Sequence, residues 1–189
     1  FQIYMAQYAT YPFAKFHYEM FSLAENEAVK LMVVMAFRNS GKSSVLNTAY
    51  SIWSVLGKPQ KKFVIIFSQT QAQAKQHFEN LKVELQSNSL LKRDLGPFST
   101  EDGEWGGRSI VLPKYGARIM LASSEQSIRG IRHGANRPDL IICDDVEDIA
   151  SAKTKEGRDK IFQWFTGEVL PAGDEKTKVV VLGNMVHED

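Results

Sequence analysis

Ala36-Phe37-Arg38-Asn39-Ser40-Gly41-Lys42-Ser43-Ser44 follows an apolar run, LMVVMAF (31–37), and opens a segment of helical character over 42–56. Strand, glycine-lysine-serine loop and helix in that order are the context a phosphate-binding loop requires. Backbone N–H groups at a helix start have no carbonyl of their own, and the helix dipole favours negative charge there. Gly41 permits close approach of the backbone, Lys42 can reach the outer phosphates, and the Ser43 hydroxyl can ligate Mg²⁺. Ser40, Gly41, Lys42, Ser43 and Ser44 are therefore the candidate nucleotide-binding residues, with ATP and Mg²⁺ the expected cofactors. Ala36 stands where the usual pattern has its first glycine.

Outward from the loop, β-rich runs alternate with helical segments. KFVIIFS (62–68), RSIVL (108–112), ARIMLAS (117–123), DLIIC (139–143) and KVVVLG (178–183) join 31–37 as strand candidates. Three of the runs, 31–37, 63–67 and 179–182, are nearly unbroken apolar stretches, as expected of parallel strands covered on both faces. Helices are expected over 71–86, with Ala74, Phe78, Leu81 and Leu85 among its apolar positions, and over 151–170, with Ile161, Phe165 and Val169 spaced by four. Pro113-Lys114-Tyr115-Gly116 reads as the turn of a β-hairpin inserted between them. The fold class that follows is α/β, a mostly parallel central sheet flanked by helices.

Leu140-Ile141-Ile142-Cys143-Asp144-Asp145 is an apolar strand ending in two carboxylates. Beside a phosphate loop, one such carboxylate serves the Mg²⁺ shell and the next orients the attacking water. Asp144 is assigned to the metal with Ser43, and Asp145 to the water. Glu147, two residues on, is the alternative for the water.

Composition narrows the class. The chain has 189 residues, 43% hydrophobic and 24% charged, room for one domain with a sizeable core. A net charge of +1 announces no global excess for nucleic acid, so DNA contact would come from a local patch or an assembly. The single cysteine, Cys143, forms no internal disulfide. No apolar run has the length of a membrane span, so no membrane association is expected. The chain opens without Met and ends at Asp189 just after a strand-like run, so it is expected to be a piece of a longer protein.

These motifs together resemble the large terminase subunit of tailed bacteriophages. Arg38 precedes the loop glycine by three residues, as terminase loops commonly have it. Ser127-Ile128-Arg129-Gly130, then Arg137 to Asp148, looks like the family's arginine-glycine segment leading into its acidic motif. Val179 to Asp189 is similar to its third, coupling motif. The likeness runs from 31 to 189. It implies a RecA-like P-loop NTPase of the ASCE type and ATP hydrolysis that drives double-stranded DNA into a procapsid. It also implies a ring, usually pentameric, on the portal protein, with the small terminase subunit as partner, in the host cytoplasm. Residues 1–189 would be the ATPase domain, with 1–30 an adenine-side segment, and the family's nuclease domain would lie outside this chain. Two positions depart from the pattern: Asp145 stands for the usual glutamate, and Asn184 for a frequent threonine. A helicase-like P-loop ATPase is the runner-up, although a second RecA-like domain does not fit in this length. A nucleotide-binding assembly module with little turnover is the other.

Remaining candidates follow from chemistry. Arg38, Arg129, Arg132 and Arg137 are guanidinium candidates for a γ-phosphate, and Arg129 is chosen because it matches the family segment. Arg132 and Arg137 read better as surface salt bridges. Asn184 can hydrogen-bond the γ-phosphate or the water. Phe13, Phe16, Tyr18 and Phe21 can stack a base and Gln7 read its edge, with core packing the commoner role for aromatics. His17, His77, His133 and His187 have no metal-ligand spacing. Lys61, Lys62, Arg108, Lys114 and Arg118 are candidate DNA-backbone contacts, or simply a solvated face.

Overall fold

The computed structural model describes residues 1–98, 105–124, 126, 128, 130–147 and 149–184. Six strands form one sheet: β1 (Leu31–Met35), β2 (Phe63–Ser68), β3 (Ser109–Leu112), β4 (Ala117–Ser123), β5 (Leu140–Asp144) and β6 (Lys178–Gly183). Their order is β1-β6-β5-β2-β4-β3. All neighbours are parallel except β3 and β4, the expected hairpin, which turns through Pro113–Tyr115 and a left-handed Gly116.

Alternation along the central strands explains their unbroken apolar sequence. Val64 and Ile66 of β2, with Leu140 and Ile142 of β5, enter one core; Phe63, Ile65 and Phe67, with Ile141 and Cys143, enter the other. The first core is roofed by α1 (Lys15–Glu25), α2 (Tyr50–Leu56), α3 (Gln71–Ser87) and α4 (Ser89–Leu95). α5 (Ile149–Lys153) leads into α6 (Lys155–Trp164), and the second core is covered by the end of α6 and the chain just after it, where Trp164, Phe165, Val169 and Ala172 pack. Fully burying a side chain such as Phe63 or Phe67 contributes about 2–3 kcal/mol.

Helix starts follow local chemistry. Thr70 Oγ1 accepts from Gln73 N and the Gln73 amide accepts from Thr70 N, a reciprocal cap on α3. Asn88 and Thr154 accept from Leu91 N and Gly157 N to start α4 and α6. The expected single helix over 151–170 is thus interrupted at Thr154.

β1 differs from the expectation of a strand buried on both faces. It lies at the sheet edge, and although Met32 is buried, Leu31, Val33 and Met35 are 54%, 59% and 60% exposed. An apolar run specifies faces that tolerate burial; it does not say how many are covered. Two elements in the N-terminal half had no sequence assignment, α1 and α4. The first is held to the sheet by a buried lysine. Lys178 Nζ donates to the carbonyls of Leu23, Ala24 and Asn26 at 2.8, 2.6 and 2.9 Å, placing a cation at the carbonyl end of α1. Lys61 Nζ reaches Glu27 at 2.7 Å just beyond.

Candidate functional site

The loop after β1 runs into a π-helical turn, Ser43–Ala49, that continues directly as α2. Asn39 and Gly41 have left-handed backbones, φ 65° and 77°, a conformation that glycine and asparagine tolerate best. This winding brings Lys42 and Ser43 against the carboxyl ends of β5 and β6, the sheet end where ligands of open α/β folds bind.

Two clusters meet there. In the first, Asp144, 1% exposed, accepts from Ser43 Oγ at 3.2 Å and from Asn47 Nδ2 at 2.8 Å. His77 Nε2 of α3 lies 3.7 Å from the same carboxylate. In the second, Lys42 Nζ donates to Asn184 Oδ1 at 3.0 Å and stands 3.9 Å from Asp145 Oδ2. The Asn184 amide closes the triangle on Asp145 at 3.3 and 3.4 Å. Asp145 has φ 46°, so its side chain leaves the strand's alternation, while its N–H donates to Leu182 O at 3.0 Å. Burial raises the Asp145 carboxyl above the usual carboxylate range, with Asp144 adding to the shift; Lys42, His77 and Arg38 oppose it.

Ser43 and Asp144 offer a hydroxyl and a carboxylate side by side, the hard-oxygen pair that suits Mg²⁺ when phosphates and waters complete its shell. The described residues hold no cluster of three or more His, Cys, Asp or Glu side chains that could cage a metal by themselves. Glu147, the alternative to Asp145, lines a groove of about 360 Å³ with Leu31, Val33, Met35, Phe162 and Asn184. Arg38 is exposed in the loop. Ser40 and Lys42 are buried, and Ser44 lines the cavity on the N-terminal side. Arg129 lies outside the described residues; next to it, Ile128 is buried in the second core and Gly130 is left-handed at φ 74°.

That N-terminal cavity, about 280 Å³, is lined by Phe13, Phe16, His17, Phe37, Ser40 and Ser44 among others. Phe13 and Phe16 thus flank the loop, Tyr18 is exposed, and Phe21 packs against the first core. The Gln7 amide donates to Glu84 at 3.0 and 3.1 Å. Of the candidate DNA contacts, Lys61 meets Glu27 and Lys62 Nζ donates to Tyr115 O. Arg108 faces the Gln71 amide, Lys114 donates to Leu95 O and Gly96 O, and Arg118 donates to Ser109 Oγ. Arg137 donates to the carbonyls of Pro171 and Gly173, a backbone role in place of a salt bridge, and Arg132 is exposed.

Sequence reasoning assigned no site role to Asn47 or Asp139 and weighed His77 only as a metal ligand. Asn47 is one helical turn after Ser43, a spacing that puts both on one face. His77 had no comparable signal, since only the packing of α3 brings it in. Asp139 accepts from Lys62 N and Phe63 N at 2.7 and 3.0 Å and so ties the start of β2 to β5; burial raises its carboxyl.

Residues 33–165 match the family model described as terminase large subunit, T4likevirus-type, N-terminal. Comparison with curated proteins returns no match. Among solved structures the chain is similar to the large terminase of bacteriophage HK97, with TM-score 0.56 and 13% identity over 92% of this chain and 33% of that one. It is also similar to a mutant of the large terminase ATPase domain from Thermus phage P74-26, with TM-score 0.56 and 12% identity over 94% of this chain and 67% of that one. The chain therefore spans about a third of the first relative and two thirds of the second. The likeness in structure carries the fold, a RecA-like architecture with a mostly parallel sheet, and the family match covers most of the sequence: the chain belongs to the large terminase subunit family.

Proposed function

We propose that this chain hydrolyses ATP in a Mg²⁺-dependent manner and that the hydrolysis drives double-stranded viral DNA into a procapsid. The observation that carries the proposal is the meeting of Lys42, Asp145 and Asn184 beside Ser43 and Asp144 at the carboxyl end of the sheet. Ser40 to Ser44 would cradle the phosphates, with Ser43 and Asp144 holding Mg²⁺. Asp145 would orient the attacking water, and Asn184, already bonded to both Asp145 and Lys42, would sense the γ-phosphate between them. Asp145 is favoured over Glu147 because it shares partners with Lys42, whereas Glu147 lines the neighbouring groove. Arg38 is near enough to act on Asp145 electrostatically and supplies a guanidinium at the loop. The N-terminal aromatic cavity would take the base. The proposed partners are DNA, the portal protein and the small terminase subunit, with the chain in the host cytoplasm and, transiently, in a pentameric ring assembled on the capsid at the procapsid portal. No helix among the described residues is long and apolar enough to cross a membrane.

A ring implies that a neighbour completes each site, and Arg129 is the proposed finger. Such fingers are worth about 10³–10⁵ in rate. Specific activity should therefore rise with protein concentration, and Arg129→Ala should lose that rise. Mixing Arg129→Ala with Lys42→Ala should restore turnover, since each supplies what the other lacks. Concentration-independent turnover without restoration places Arg129 outside a shared site.

A further inference from the structure

One of the α1 side chains that touch the loop, His17, has a tautomer that its hydrogen bonds indicate. His17 Nδ1 accepts from Ala14 N–H at 3.0 Å, so the proton of the neutral ring lies on Nε2. That nitrogen donates to the Ser40 carbonyl at 2.8 Å. The ring is clamped by Phe16, with centroids 4.0 Å apart, and by Phe13 at 5.5 Å. Phe16 also meets Phe37 of the loop, edge to face at 5.8 Å.

The Ser40–Gly41 peptide is the hinge of the cradle. It lies just after left-handed Asn39 and leads into left-handed Gly41. A trans peptide points its C=O and N–H in opposite directions. A Ser40 carbonyl held by His17 on the α1 side therefore turns the Gly41 N–H away from α1. Glycine tolerates the alternative in which this plane flips, because it adopts both signs of φ. The flipped carbonyl would set an acceptor against phosphate oxygens and withdraw one donor. The Ser40 hydroxyl is buried with no hydrogen-bond partner among the described residues.

We infer that His17 is a positioning residue for phosphate binding: it locks the Ser40–Gly41 peptide in the orientation that presents the Gly41 N–H to a nucleotide phosphate. This rests on the reading of the loop as an ATP site. It makes α1, and the aromatic cavity that α1 helps to line, part of the phosphate machinery, so base and phosphate recognition share one lever.

The two ring nitrogens have separate jobs, and two substitutions isolate the one that faces Ser40. His17→Asn retains an acceptor near the Nδ1 position for Ala14 and loses the donor to Ser40. His17→Gln retains a donor near Nε2 and an amide oxygen that can still accept from Ala14 N–H, as Gln73 does from Thr70 N. The probe is MgADP binding by calorimetry, with thermal melting alongside and Lys42→Ala as control. His17→Asn keeps its melting temperature and binds about tenfold more weakly, the fold-change that suits one neutral hydrogen bond. His17→Gln keeps its melting temperature and binds within about threefold of wild type. Wild-type affinity in His17→Asn, or equal weakening in both variants, overturns the inference and leaves His17 as a helix cap. Wild-type affinity in Lys42→Ala instead removes the phosphate-loop reading itself.

Discussion

Replacing Lys178 with methionine tests how the N-terminal segment is fixed to the sheet. Lys178 is fully buried, and its ammonium donates to three carbonyls at the end of α1 at 2.6–2.9 Å. Methionine fills nearly the same space without a donor. Each charge-assisted hydrogen bond contributes about 1.5–3 kcal/mol, so the three together amount to roughly 6 kcal/mol. Against this stands the cost of burying an ammonium, several kcal/mol that the methionine variant avoids. Such exchanges can be neutral when both partners of a buried pair are replaced. Here the acceptors are backbone carbonyls, which remain and lose their donor. The net loss should be about 3 kcal/mol, a fall in melting temperature of roughly 6–12 °C for a chain of this size. Thermal unfolding followed by circular dichroism measures it. A Lys178→Met protein that melts at or above the wild-type temperature refutes the reasoning, because the bonds would then contribute no more than the burial costs.

Burial holds the Lys178 ammonium below the usual lysine range, with Glu27 opposing. The unfolded chain therefore binds that proton more tightly, and wild-type stability relative to Lys178→Met should increase as pH rises toward about 10.4; a gap that narrows between pH 8 and pH 10 contradicts this. Asp145→Asn keeps a residue that accepts the left-handed backbone at φ 46° and should still bind MgATP while turnover falls at least about a hundredfold, whereas Glu147→Gln should stay within about threefold of wild type. The reverse ranking in a phosphate-release assay would move the water-positioning role to Glu147.

The strand-loop-helix order around Gly41-Lys42-Ser43, the acidic strand end and the two-faced strands were legible in the sequence because each is a local pattern. A strand buried on both faces must be apolar at every position, as Phe63 to Phe67 are. The loop and Asp144 could be paired from motif chemistry, although about a hundred residues separate them. The edge position of β1 was not legible, since strand order is set by contacts that no local window contains. The helix α1 left a signal that was passed over: Phe16, Met20 and Ala24 recur every fourth residue, and the latter two are buried. The lysine at the head of the apolar run 178–183 was visible, but its partners lie some 150 residues away. The contacts of Asn47 and His77 with Asp144 likewise arise only when the π-helical turn Ser43–Ala49 and α3 pack on the sheet.

The central claim is that Lys42 belongs to a site that binds and cleaves ATP. Phosphate release by the wild-type chain and by Lys42→Ala, with and without Mg²⁺ and at matched folded concentrations, tests it most directly. The account predicts Mg²⁺-dependent release by the wild type and none above background from Lys42→Ala. It also predicts an unchanged melting temperature, because the Lys42 ammonium contacts Asn184 and Asp145 of the site rather than the apolar core. Equal release by the two proteins would contradict it.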